Sequence, residues 1–135
     1  MYKHILLPIS FDKERDAARA LDVARLLAGQ DGKVSLLHVI EQIPGYAISY
    51  MPEGYLNEAR KAIKAELDEL VATLPNAEAH VVDGHSGRTI LDWAEAHSPD
   101  CIVIASHRPG MQDLLLGSTA AKVVRHANCA VHVIR

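Results

Sequence analysis

The chain has 135 residues, 49% of them hydrophobic and 23% charged, with a formal net charge of −3. That length suits one domain over 1–135 with a core of its own, and the slightly acidic balance argues against a general nucleic-acid binder. No apolar run reaches the roughly 20 residues of a membrane helix. The opening MYKHILLPIS carries an apolar stretch too short for a secretory leader, with no small-residue cleavage site behind it. Two cysteines, Cys101 and Cys129, lie far apart without a CxxC spacing. They read as buried free thiols of a reducing compartment, so the chain is expected in the cytoplasm.

Taken in order, 3-KHILLPI-9 is a short apolar strand ended by Ser10. Asp12 can cap a following helix and Glu14 suits the positive end of its dipole. Residues 13–28 carry Ala17, Leu21, Ala24 and Ala28 at helical spacing, and Gly29 is a C-terminal stop. A second strand, 33-KVSLLHVI-40, leads into 41–54, which holds Pro and Gly without a period and reads as a long loop of functional type. Tyr55 to Leu74 form a helix with the stripe Ile63, Leu67, Leu70, Val71 and Leu74, ended by Pro75-Asn76. The third strand is 77-AEAHVVD-83. Ser86 can cap the next helix, in which Ile90, Trp93, Ala94 and His97 share a face, and Ser98-Pro99 breaks it. Then come the most hydrophobic strand, 101-CIVIAS-106, a helix over 118–127, and a last strand, 130-AVHVI-134.

Strands separated by helices pair in parallel, because parallel neighbours need a crossover. Continuous apolar runs suit a sheet covered on both faces, and right-handed crossovers make it an open, doubly wound α/β sheet. Ligands of such sheets bind beyond the carboxyl ends of the strands, where the strand order switches. That edge holds Pro8-Ile9-Ser10, Val39-Ile40, Asp83-Gly84 and Ala105-Ser106-His107. The run 103-VIASHRPGMQDLLLGSTAAKVVRHA-127 adds Gly117-Ser118-Thr119 at a helix start on the same edge. A helix start leaves amides unpaired and partly positive, so it accepts an anion. The same Gly-Ser-Thr also serves as a plain helix cap. Neither GxxxxGK[ST] nor GxGxxG occurs, which excludes a P-loop and a dinucleotide fingerprint. Eight histidines are scattered without an HxxxH or HExxH pair and read as structural or surface groups rather than metal ligands. Ser10, Ser106 or Ser118 with His107 lacks the GxSxG elbow of a hydrolase.

The opening KHILLPIS and the ending IVIASHRPGMQDLLLGSTAAKVVRHANCAVHVIR resemble the universal stress protein family across essentially the whole chain. ASHRP followed by LLGS resembles its UspA-like, short, single-domain bacterial members of F/G type. The resemblance implies a five-stranded parallel sheet in the order 3-2-1-4-5, similar to the adenine nucleotide α-hydrolases. Nucleotide-binding members carry Gly-x2-Gly-x9-Gly-Ser/Thr. Here Gly117-Ser118 is intact, Ala105 and Arg108 stand where the first two glycines fall, and the spacer 109–116 is one residue short. Ser10 stands where such members carry a ribose-binding acidic residue. Two permissive backbone positions are thereby lost, while Arg108 adds a permanent forked cation.

The resemblance also implies roles for single residues. Pro8, Ile9 and Ser10 would line the ribose and adenine side, and the backbone near Val39 the adenine edge. Ala105 would approach the ribose, and Arg108, Gly117, Ser118 and Thr119 would hold the phosphates. His107 and Gly110 would shape the loop by position. ATP or ADP would arrive with Mg²⁺ held mostly by water and phosphate. The last strand, Ala130 to Ile134, would lie at a sheet edge and pair a homodimer about a two-fold axis. The expected function is that of a nucleotide-dependent stress regulator or adaptor acting on a protein partner, with at most slow ATP hydrolysis. The competing reading is a dimeric interaction module whose pocket has lost its ligand.

Overall fold

The computed structural model describes residues 1–10, 17–41, 43–106 and 116–135. Five strands, β1 (His4–Pro8), β2 (Lys33–Ile40), β3 (Ala77–Asp83), β4 (Cys101–Ala105) and β5 (Ala130–Ile134), form one sheet in the order β3-β2-β1-β4-β5. Every pairing is parallel, with registers such as Pro8 opposite Leu37, Ile40 opposite Asp83, and Ala105 opposite Ile134. The helices are α1 (Ala17–Ala28), α2 (Gly45–Ile48), α3 (Tyr55–Val71), α4 (Ser86–His97) and α5 (Ser118–His126). This is the open, doubly wound α/β sheet that the alternation of elements predicts.

The continuous apolar runs of β1 and β4 are two interleaved sets, since alternate side chains face opposite sides of a sheet. Ile5, Leu7, Val34, Leu36 and Val103 pack under α1 and α3, against Leu21, Ala24 and Leu67. Leu6, Leu37, Ile102 and Ile104 pack under α4 and α5, against Ile90, Trp93, Ala120 and Val123. Each of Ile5, Leu6, Leu7, Leu36, Leu37, Leu67, Ile102, Val103 and Val123 is sealed from solvent. A fully buried aliphatic side chain of this kind contributes about 1.5–3 kcal/mol relative to exposure.

Local chemistry sets the element ends. Gly29 closes α1 in the left-handed conformation (φ 67°), its N–H reaching Arg25 O at 3.1 Å. The third helix stops at Val71, three residues short of the expected Leu74. Its exit tightens, with Thr73 N–H and Leu74 N–H donating to Leu70 O and Val71 O. Thr73 Oγ1 also donates to Leu70 O at 2.7 Å, and Pro75 disfavours a helical residue before it. The segment 41–54, expected to be irregular throughout, contains the one-turn α2 after Pro44. The expected caps Asp12 and Glu14 lie outside the described residues.

Both thiols are free. Cys101 is buried as expected, while Cys129 is only half-buried. Burial pushes the Cys101 thiol up to about 11, with Cys129 and Asp100 nearby adding to it.

Candidate functional site

At the carboxyl edge of the sheet, between β1 and β4 where the strand order reverses, the structure opens a cleft of about 710 Å³ including its solvent-facing mouth. Its floor is apolar: Pro8, Ile9, Leu37, Val39, Ile104 and Ala105 are the last residues of three neighbouring strands or sit beside them. Ala17 and Ala20 of α1 wall one side, and Ser86 and Ile90 of α4 and Thr119 of α5 the other. Ser10 and His38 complete the polar part of the lining.

The strand ends are held where they are by the sheet itself. Ile9 N–H donates to Leu37 O at 2.8 Å, carrying the β1–β2 ladder one residue past the strand. The His38 ring donates from Nδ1 to Ile9 O at 2.8 Å, which fixes its tautomer and ties Ile9 to β2 a second time. Across the cleft, Ser106 N–H donates to Ile134 O at 2.9 Å, extending the β4–β5 ladder. The Ser106 hydroxyl is buried and has no hydrogen-bond partner among the described residues.

Two helices on the same face of the sheet bring their N-termini to this cleft, and they differ. The first, α5, starts at Gly117, whose backbone is extended (φ −61°, ψ 156°). Among the described residues no side chain caps it, and its first turn holds no acidic residue. Its first intrahelical bond is Ala121 N–H to Gly117 O at 2.9 Å, so the amides of Ser118, Thr119 and Ala120 have no intrahelical acceptor. Of the Gly-Ser-Thr triplet, Gly117 takes the N-cap position, and Ser118 and Thr119 are the first residues of the helix.

The second, α4, is capped from a distance. Ser86, expected as its cap residue, is instead the first residue of the helix, after His85. Its N–H and hydroxyl both donate to Glu41 Oε1, at 3.2 and 2.6 Å. Glu41 follows the last residue of β2, and the register that sets Ile40 beside Asp83 delivers its carboxylate to the turn before α4. The bond from Ser86 holds the Glu41 carboxyl below the usual carboxylate range.

Of the residues expected at the site, Pro8, Ile9, Ser10, Val39, Ala105 and Thr119 line the cleft. Gly117 and Ser118 form the α5 start beside it. His107, Arg108 and Gly110 lie outside the described residues. Sequence reasoning missed Leu37, His38 and Ile104, because the cleft reaches a residue or two below the strand tips. It also missed the approach of Glu41 to Ser86, which only the β2–β3 register could have revealed.

A parallel α/β sheet with an open cleft at its switch point is the class that this fold and site define. The chain belongs to the universal stress protein family, whose sequence model matches residues 1–135. Universal stress protein G of Shigella flexneri is 30% identical over 145 aligned positions spanning 100% of both chains. Among solved structures, the universal stress protein UspA of Lactobacillus plantarum is similar at 27% identity and a TM-score of 0.74, covering 99% of this chain and 98% of that one. The fold is also shared with the Archaeoglobus fulgidus universal stress protein described in complex with dAMP (20% identity, TM-score 0.64, covering 99% and 98%). A further universal stress protein, described in complex with cAMP, shares it at 22% identity and a TM-score of 0.66, covering 99% and 97%.

Proposed function

We propose that the cleft binds an adenine nucleotide, ATP or ADP, and that the protein acts as a nucleotide-dependent regulator or adaptor in the cytoplasm. The observation that carries this reading is the α5 start, where no side chain among the described residues caps the first amides and the first turn holds no acidic residue, opening beside an apolar floor of strand ends. Such a start attracts phosphate, while Ile9, Leu37 and Val39 offer a base the dry surface it needs. Family membership supports it, and two fold relatives are described with adenine nucleotides, although at their identities the likeness is one of fold. Among the described residues no carboxylate lines the cleft, so Mg²⁺ would enter on the phosphates and keep most of its water.

Ligands that bind only the native state raise its melting temperature, by an equivalent of about 2.7 kcal/mol at a hundredfold excess over Kd. ATP with Mg²⁺ is therefore expected to shift thermal unfolding upward. Unchanged melting curves at millimolar ATP, ADP and AMP would end this reading. Thr119→Val keeps the shape and removes the hydroxyl. It is expected to weaken ATP about ten- to a hundredfold, the scale of one hydrogen bond to a charged group, while leaving adenosine unaffected in calorimetric titration.

A second reading keeps the family and drops the nucleotide. Its support is Ala105, whose methyl-bearing residue lines the cleft where nucleotide-binding members carry glycine. It makes the protein an interaction module. In either reading β5, which among the described residues pairs with β4 alone at the sheet edge, is the strand offered to a second copy for a homodimer. Sedimentation of wild type and Val131→Pro tests that: the substitution is expected to leave a monomer.

A further inference from the structure

Two helix N-termini on one face of the sheet flank the same cleft, α4 through Ser86 and α5 through Thr119. By helix dipole alone each is an anion acceptor, so a ligand carrying phosphates at one end could in principle lie either way round. The chain itself breaks that symmetry. At α4, Glu41 Oε1 already accepts from the Ser86 amide and hydroxyl at 3.2 and 2.6 Å, and Glu41 Oε2 lies 3.6 Å from His85 Nδ1. At α5, no side chain among the described residues caps the start, and the first turn carries no acidic residue.

We propose that Glu41 is the specificity-determining residue of the cleft, an internal anion bonded at the first amide of α4 that confines the ligand's phosphates to the α5 end. This rests on the nucleotide reading of the cleft. A carboxylate bonded to one wall repels any further negative charge brought to that wall, and the repulsion grows with ligand charge. It leaves a neutral nucleoside untouched. The base end thus lies toward β2 and α4, and each added phosphate extends toward Ser118 and Thr119. Glu41 is largely exposed, so the effect is screened by salt.

Glu41→Gln tests this cleanly, because the amide oxygen still accepts from Ser86 and only the charge is lost. Calorimetric titration of wild type and variant with adenosine, AMP and ATP is expected to show a graded gain: none for adenosine, and about three- to tenfold for ATP at low salt. The gain is expected to shrink at 0.5 M salt. An equal change for all three ligands, or none for ATP, overturns the proposal. Inorganic pyrophosphate supplies a readout that needs no nucleotide site. It is expected to raise the melting temperature of Glu41→Gln more than that of wild type, and equal shifts overturn the proposal. If neither protein binds adenosine or ATP, the nucleotide reading fails by itself, and the pyrophosphate comparison still decides the role of Glu41.

Discussion

Gly84 shows how much a single position constrains the site. It turns the chain from β3 into α4 with φ 146°, a conformation L-residues rarely adopt, and its N–H donates to Ile40 O at 3.0 Å. A Cβ there would collide with Thr89 Oγ1. Gly84→Ala is therefore expected to destabilise by about 1–3 kcal/mol, read as a lowered urea midpoint with unchanged slope. Leu67, sealed between α3 and the sheet, is the corresponding packing test: Leu67→Ala is expected to cost about 2–5 kcal/mol. Local signals were legible at this scale. Gly29 reads as a helix stop from sequence and is one. Ser86 reads as a cap and is not, because its partner Glu41 lies 45 residues away, beyond the reach of any local pattern.

Among the elements, the first strands are tied together near their amino ends by a polar row. His4 Nε2 of β1 lies 2.8 Å from Ser35 Oγ of β2, which donates to Glu78 Oε1 of β3 at 3.4 Å, and Lys33 Nζ closes on the same carboxylate oxygen at 2.9 Å. The ring of Trp93 in α4 lies over this row, stacked on His97 at 3.7 Å and near His80 and His4. Burial, then the Lys33 charge, hold the His4 imidazole below its ordinary value. The Lys33 ammonium first, then the His80 ring, hold Glu78 down to about 2. Both groups bind protons more weakly folded than unfolded, so the unfolded chain takes up more protons and stability falls as pH is lowered. The His4 part is lost as pH drops below about 6.5, and the Glu78 part between about 4.5 and 2. His4→Gln, which can still bond Ser35, is expected to flatten the fall in urea midpoint between pH 7 and 5. The bounds of β2 and β3 were readable because their runs begin after Gly32 and after Pro75-Asn76, and β3 ends at Asp83-Gly84. The one-turn α2 was not, since four residues carry no period.

For the molecule as a whole, alternation of strands and helices dictates a parallel sheet. The order 3-2-1-4-5 came from family resemblance, since no periodicity says which strands are neighbours. The candidate cleft was legible as a row of strand tips, while the contrast between its two helix starts required the register. That strand order has a consequence for biosynthesis. The first strand made, β1, is the middle of the finished sheet, and one of its two neighbours is the fourth strand. The amides of Lys3 and His4 wait for the carboxylate of Asp100, 97 and 96 residues later, at 2.9 and 3.0 Å. A nascent chain released from the ribosome after β3 would carry Leu6 and a bare β1 edge without the β4 and α5 that cover them. Such an intermediate is prone to self-association. A truncated product of residues 1–84 is expected to scatter light and bind hydrophobic dye at concentrations where the full chain stays clear, so translational arrest past β3 puts this protein in need of a chaperone.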